Sequence, residues 1–290
     1  MNTFATLTKE TQTRLLVPLT THNVQKETPK KTPIENVLIR EVRLAVADVL
    51  HSTKVLESMK NNSVSIQNWQ IFAQNRYTAS HWFLSLLENG MWKSEDESYS
   101  ELSKVFEENL CDEVGVGSDG TYNVLQEHET WRQDFYRVLQ EQFKANGLTG
   151  EAELLTTTKN HTKIFEEIVA RGSIWEMAGT LLFIERFIPQ EFAYIQKGRD
   201  FAFTKSFVIS DQDSSEVEIK KTRACHYIDD HIRHDVAHFK DALQGIVDSL
   251  EESENVESNV EMVQMGIHEA ARAKKIFYKG FDIAIQSTPK

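Results

Sequence analysis

The sequence contains few of the residues that interrupt helices, with 5 prolines and 12 glycines in 290 residues. That scarcity excludes a turn-rich β protein and favours long helices, and a hydrophobic fraction of 40% is enough for a sizeable core. Only 2 cysteines are present. They exclude a disulfide framework and a zinc site built from thiolates, and they fit a reducing, cytoplasmic setting.

Clusters of basic residues and long apolar segments are also missing. The formal net charge is −12, and phosphate binding needs grouped Lys and Arg, so nucleic acid is not an expected partner. No apolar run reaches the ~18 residues that a membrane helix needs. Residues 1–21 lack the basic and apolar regions of a secretory signal. We therefore expect a cytoplasmic protein that does not act in a membrane.

The pattern along the chain predicts one all-α domain. Residues 1–34, rich in Thr and Lys and interrupted by prolines, are expected to form a weakly structured N-terminal arm, and residues 35–290 the helical domain. Residues 199–216 are expected to form a long loop. The apolar periodicity predicts helices at about 35–60, from a cap at Ser63 or Ser65 to Gly90, and at about 98–113, 121–146, 149–170, 173–197, 217–250 and 256–286.

Two polar residues fall on apolar helix faces in the first half of the domain. Each residue advances about 100° around a helix, so Glu113, eleven residues after Leu102, lies about 20° from that buried position. His128 lies on the stripe formed by Val124 and Trp131. A single inward histidine is more often a core residue than a metal ligand, so its meaning depends on its neighbours.

Glu185 is the third such residue, and apolar side chains surround it in the segment 181–188. An unpaired charge there is costly, which favours a bound cation as its partner. The alternative is an ion pair with Arg186. Adjacent residues on a helix point about 100° apart and do not face each other, which disfavours that pair.

The strongest local signal is the sequence His-x3-Asp-x2-His formed by His231, Asp235 and His238. These positions fall within about 60° of one another on a helix, so three side chains that can bind a metal share one stripe. The alternative is a solvated polar face. Ala224 and Ala242 continue the stripe on both sides, which leaves room around it and favours the metal site.

The inward residues comprise three carboxylates and three imidazoles from four helices. Mixed Glu/His ligation inside a helical bundle is how such proteins hold a di-iron or di-manganese centre. Oxygen and imidazole ligands suit iron or manganese, and the absence of thiolates from the set argues against structural zinc. The predicted metal-binding and catalytic residues are Glu113, His128, Glu185, His231, Asp235 and His238.

The order Glu, His, Glu, His-x3-Asp-x2-His resembles the heme-oxygenase-like di-iron oxidases, which are related in fold to heme oxygenase and to the thiaminase-II proteins. The resemblance begins near residue 36 and includes the segments 109–115 and 179–189. It implies a bundle of about seven core helices, usually dimeric, with the same six residues as ligands of two Fe(II) ions. Manganese is the alternative metal, and dioxygen is the co-substrate. Two departures from the family are a longer gap between Glu113 and His128 and an insertion around 201–216.

The resemblance implies oxidation of a small carboxylate-bearing metabolite, such as an amino acid or a fatty acid, by N-oxygenation, C–C cleavage or desaturation. Guanidinium groups match carboxylate geometry, so arginines are the candidates to bind the carboxylate of such a substrate. Two alternatives stay open: a metal-free thiaminase-like protein that binds or hydrolyses a small molecule, although the cysteine signature of a thiaminase is missing, and a helical interaction protein. The candidate arginines for a substrate carboxylate are Arg76, Arg186, Arg223 and Arg233.

Overall fold

The computed structural model describes residues 3–17 and 32–287, and these ranges are helical apart from their connections and one isolated β-bridge. The predicted all-α fold is confirmed. In chain order the helices are α1 (Lys9–Leu15), α2 (Pro33–Ser52), α3 (Lys54–Lys60), α4 (Ile66–Thr78), α5 (Trp82–Asp96), α6 (Ser100–Val114), α7 (His128–Ala145), α8 (Thr156–Arg171), α9 (Ile174–Ala202), α10 (Thr204–Phe207), α11 (Ser215–Glu252) and α12 (Val256–Ser287).

Helix α9 is the central element, and its first half is buried on every side. A helix that is apolar all round is stable only when other helices enclose it. Helices α11 and α12 make the most extensive contacts with α9, and α2 and α3 also pack against it. Pro189 lies inside α9 and has no N–H to donate to the carbonyl of Glu185, one turn earlier. The missing helical hydrogen bond therefore lies at Glu185, one of the predicted ligands.

The crossing of α9 and α12 depends on two glycines. A Cβ atom at Gly179 would overlap the carbonyl oxygen of Val263, and one at Gly266 would overlap that of Glu176. The backbones of the two helices therefore touch at this point, and neither position has room for a methyl group.

We expect Gly179→Ala to lower the free energy of unfolding by about 1–3 kcal/mol, because overpacking of backbone against backbone forces the helices apart. Alanine in a helix otherwise stabilises by about 0.5–1 kcal/mol relative to glycine, so the expected sign is opposite to the intrinsic preference. Chemical denaturation measures the change. Gly150→Ala is the matched control, since no atom lies within 4 Å of its added Cβ. An unchanged or raised stability of Gly179→Ala would contradict the close crossing.

Several predicted boundaries differ from the structure. Ser65 caps α4 as expected, accepting a hydrogen bond from the N–H of Asn68 at 3.2 Å. The single helices expected over 35–60 and from Ser65 to Gly90 are each divided in two. The predicted loop at 199–216 is wrong, because α9 continues to Ala202 and α10 and the start of α11 occupy much of the rest. Gly198 does not end α9; it allows Trp69 and Met59 to approach the helix closely.

The structure also differs from the expected weakly structured arm. Within residues 3–17, Thr8 caps α1 by accepting a hydrogen bond from the N–H of Thr11 at 3.2 Å. Leu15 is buried. Arg14 donates to both carboxylate oxygens of Glu107 on α6, at 3.0 and 2.9 Å. This segment therefore belongs to the packed structure. Residues 32–34 of the expected arm cap and begin α2, and residues 1–2 and 18–31 lie outside the described residues.

Candidate metal centre

The structure brings all six predicted residues together. They come from the end of α6, the first position of α7, the middle of α9 and one face of α11. They form two groups, and within each group the three possible ligand atoms lie within 4.8 Å of one another. The first group is Glu113, His128 and His231, and the second is Glu185, Asp235 and His238.

The turn between α6 and α7 places Glu113 beside His128. Gly115 ends α6 in the left-handed conformation, with φ of 72°, which glycine adopts without strain. The chain then turns back through the β-bridge between Val116 and Tyr122. Buried Glu127 fixes the start of α7, since it accepts hydrogen bonds from the N–H of residue 4 at 3.2 Å and from the Tyr122 hydroxyl at 2.8 Å. Helix α7 therefore begins at His128 rather than at the predicted residue 121.

In the first group, one imidazole is held ready to bind a metal. His231 Nδ1 lies 2.6 Å from the carbonyl oxygen of Tyr227, so Nδ1–H donates and the lone pair is on Nε2. His128 Nδ1 lies 3.2 Å from Glu113 Oε1. The centroids of the two imidazole rings are 4.8 Å apart.

The ionisation states of the first group follow from burial and from neighbouring charges. Burial and the positive charge of His128 lower the pKa of His231 to about 4, so His231 is neutral near pH 7. Burial alone would lower the pKa of His128, but Glu113 and Asp230 raise it to about 10. Burial would raise the pKa of Glu113, yet His128 lowers it. In the metal-free protein a proton on His128 thus compensates the carboxylate.

The second group holds two buried carboxylates around one imidazole. His238 Nδ1 lies 3.7 Å from Glu185 Oε2 and 3.8 Å from Asp235 Oδ1, distances too long for hydrogen bonds. Burial and the charge of Glu185 raise the pKa of Asp235 well above its usual value. Burial likewise raises the pKa of Glu185, although His238 opposes the shift. Ionisation of both acids together is therefore unfavourable in the metal-free protein.

A cation fits the second group. Within the described ranges, Glu185 Oε2 is buried and has no hydrogen-bond partner. A buried carboxylate oxygen without a partner is costly, and a bound cation compensates it. The donor atoms of both groups are carboxylate oxygens and imidazole nitrogens, which suit iron or manganese.

Two further carboxylates support the imidazoles, and the sequence did not reveal them. His238 Nε2 lies 3.1 Å from Asp112 Oδ2, and His128 Nε2 lies 3.7 Å from Asp230 Oδ2. Both aspartates immediately precede a predicted ligand, but helical periodicity turns them outward, and Asp112 is 48% exposed. Burial alone would lower the pKa of His238, but the carboxylates of Asp112 and Glu185 raise it to about 11.

Both groups face one cavity of about 100 Å³, which is lined by residues of α4 to α9, α11 and α12. Arg76 lines it, whereas the other arginines considered for a substrate carboxylate lie outside this cavity. Arg223 binds Asp134 at 2.7 Å, the Arg186 guanidinium lies over the ring of Phe239, and Arg233 is exposed. The charged or titratable lining residues that the sequence did not single out include Arg132, His161 and Lys274.

The chain is similar in structure to three solved proteins. A TenA homologue from Pseudomonas syringae pv. tomato superposes with a TM-score of 0.63 at 11% identity, over 89% of this chain and 100% of that one. A CADD-like protein of unknown function from Nostoc punctiforme gives a TM-score of 0.60 at 13% identity, over 87% and 99%. A TenA homologue from Pyrococcus furiosus gives 0.52 at 15% identity, over 86% and 99%.

These likenesses define the class of fold. The chain has the all-α, heme-oxygenase-like fold of the TenA and CADD-like proteins, as the sequence predicted. At such low identities the likeness shows the fold and not the chemistry. No family model and no curated protein matches the sequence. None of the described helices is long and apolar enough to cross a membrane.

Proposed function

We propose that this protein is a non-heme di-iron oxidase that uses dioxygen to oxidise a small carboxylate-bearing metabolite. The observation that carries the proposal is the pair of three-residue donor groups facing one cavity, with Glu185 Oε2 buried and without a hydrogen bond in the described structure. Bound ferrous ions would supply the electrons that reduce dioxygen.

The residues of the chain would hold, orient and shield this centre. Glu113, His128 and His231 would bind one ion, and Glu185, Asp235 and His238 the other. The carbonyl of Tyr227 fixes the ring of His231, and Asp112 fixes that of His238. The apolar side chains that line the cavity and exclude water include Trp82, Phe83, Ile184, Ile188 and Phe277.

The metal-free thiaminase-like alternative is supported by the likeness to the TenA homologues. A cysteine nucleophile for its chemistry is not available here. Burial raises the pKa of the Cys111 thiol to about 12, and burial also raises the pKa of Cys225. Neither cysteine lines the cavity that both donor groups face, although Cys111 lines a neighbouring, more open depression with His128 and His238. A thiol that stays protonated is a poor nucleophile, which favours the di-iron proposal.

Anaerobic titration of the metal-free protein with ferrous ion tests the proposal. We expect about two irons per chain, because the six donors form two groups of three, and oxygen consumption when air is admitted. Mössbauer spectroscopy of protein loaded with iron-57 would separate the two environments. Failure to bind iron, with the helical structure intact, would favour the metal-free alternative.

A further inference from the structure

A second polar cluster adjoins the same cavity, and three of its side chains, Arg76, His161 and Lys274, line the cavity wall. Its centre is Glu191, which is fully buried on α9. Arg76 Nη2 from α4 lies 3.3 Å from Glu191 Oε2, and Lys274 Nζ from α12 lies 3.7 Å from the same oxygen. The hydroxyl of Tyr278 donates to Glu191 Oε1. His161 from α8 completes the cluster on the cavity wall.

The cluster carries more positive than negative charge. Burial would raise the pKa of Glu191, but Arg76 and Lys274 lower it, so this carboxylate is ionised. Burial lowers the pKa of Lys274 to about 8 against the attraction of Glu191, which leaves the ammonium mostly protonated at neutral pH. Arg76 is always charged. Two cations thus share one carboxylate, and a buried excess charge is costly unless an anion compensates it.

Several donors of this cluster have no protein partner. In the part of the chain that the structure describes, Arg76 Nε and both ring nitrogens of His161 are buried without a hydrogen bond. The side chain of His161 is 2% exposed, and burial together with the charges of Lys274 and Arg76 lowers its pKa well below the usual value. An ammonium carries three donors, and Glu191 accepts one at most from Lys274. Hydrogen-bond donors on the cavity wall therefore lack an acceptor from the described protein.

A second guanidinium on the cavity wall is already occupied. Arg132 Nε donates to Glu129 Oε2 at 2.8 Å, and its Nη1 contacts the hydroxyl of Ser80 and the carbonyl of Tyr77. Its charge is compensated by Glu129 on its own helix. The unbalanced positive charge on the cavity wall therefore lies at Arg76 and Lys274.

We infer that Arg76, Lys274 and His161 form the subsite that binds the carboxylate of the substrate. The inference rests on the proposed function and specifies it. A monovalent anion neutralises one excess charge, whereas a phosphate dianion would leave a negative charge in the cavity. Glu185 and Glu191 are six residues apart on α9, or about 9 Å along the helix axis. Ile184, Ile188 and Phe277 also line the cavity. The substrate is therefore a monocarboxylate with an apolar body, oxidised several bonds from its carboxylate.

Calorimetric titration of rigorously metal-free protein tests this subsite. The probes are butanoate, hexanoate and octanoate, each compared with the alcohol of the same chain length. We expect the best-fitting acid to bind about 10–100-fold more tightly than its alcohol, the range for hydrogen bonds to charged groups. No detectable binding of any acid, or equal affinity for acid and alcohol, would overturn the inference.

Three variants locate the subsite. Lys274→Met keeps the length and apolar stem of the side chain and leaves Glu191 paired with Arg76, so we expect it to fold and to lose most of the preference for the acid. His161→Phe should reduce the preference for the acid less than Lys274→Met does. Glu191→Gln should strengthen acid binding, because it frees both cations; a purely structural role would weaken it. Lys163→Met on α8 is the control, since that lysine is 72% exposed.

Omitting metal separates this test from that of the proposed function. Carboxylate binding in a protein that takes up no iron would contradict the di-iron function and leave the subsite standing. If the protein binds iron but Lys274→Met leaves the preference for the acid unchanged, the subsite is overturned and the di-iron function is not. Circular dichroism of each variant excludes loss of fold as the cause.

Discussion

His231→Ala is expected to abolish the oxygen consumption of the iron-loaded protein, whereas Asp235→Ala is expected to retain about one of the two irons. His231 belongs to the first donor group, and its ring is fixed before metal binds by the carbonyl of Tyr227. It is also neutral near pH 7, so no proton competes with the metal. Asp235 belongs to the second group, where Glu185 and His238 remain in the variant.

Iron analysis after anaerobic loading, together with oxygen-electrode measurements, checks both expectations. The matched controls are His226→Ala and Asp241→Ala, which change exposed residues of the same helix. Both should bind the same amount of iron as the unmodified protein. Equal loss of both irons from Asp235→Ala would contradict the division into two groups. Oxygen consumption at the original rate in His231→Ala would contradict its role as a ligand.

Helical periodicity singled out five of the six residues of the two donor groups on grounds that the structure retains. The stripe that singled out His128 included Val124, which lies before α7 and is 42% exposed. His231, Asp235 and His238 lie on one stripe of one helix, so local sequence determines their proximity. Glu185 stands out because nearly all its neighbours in the segment 181–188 are apolar. The class of fold follows from the same periodicity, and the comparison with solved structures confirms it.

The cationic cluster could not be predicted in the same way. Arg76, His161, Glu191 and Lys274 come from four helices, and no spacing in the sequence relates them. Lys274 is followed by another lysine, Lys275, which faces outward, so the sequence does not distinguish the buried ammonium from the exposed one. Only the packing of the helices reveals two cations around one carboxylate.

The N-terminal segment was missed for a different reason. A composition rich in Thr and Lys contributed to the expectation of a weakly structured arm, but within residues 3–17 tertiary contacts outweigh that local signal. The N–H of residue 4 donates to Glu127, directly before His128, and Thr3 lines the cavity. Such contacts between residues more than a hundred positions apart leave no local pattern in the sequence.

The middle of α11 is expected to be poorly protected in metal-free protein and to become ordered when iron binds. Between Ile228 and Ala242 the buried side chains of this helix are His231 and Asp235, whereas apolar side chains anchor it on either side. The centre of α11 therefore depends on polar contacts rather than on apolar packing. Without a metal, burial and the charge of Glu185 raise the pKa of Asp235, and burial raises the pKa of Glu185, so the two acids do not ionise freely together.

Metal binding supplies folding free energy to such a segment, because the unfolded segment does not present the ligands together. With free ferrous ion at 100 times the dissociation constant, the stabilisation is about 2.7 kcal/mol. Amide exchange that occurs by local opening should slow by about a hundredfold over residues 229–241. The buried first half of α9 should change much less, since apolar packing holds it with or without metal.

Hydrogen exchange of metal-free and iron-loaded protein, read by mass spectrometry of peptides that cover α9 and α11, measures the difference. Asp235→Ala should show a smaller gain of protection on iron loading, because its second group is incomplete. Asp241→Ala should behave like the unmodified protein, since Asp241 is exposed. Complete protection of residues 229–241 in rigorously metal-free protein would show that the helix is preformed, and the dependence on metal would be wrong.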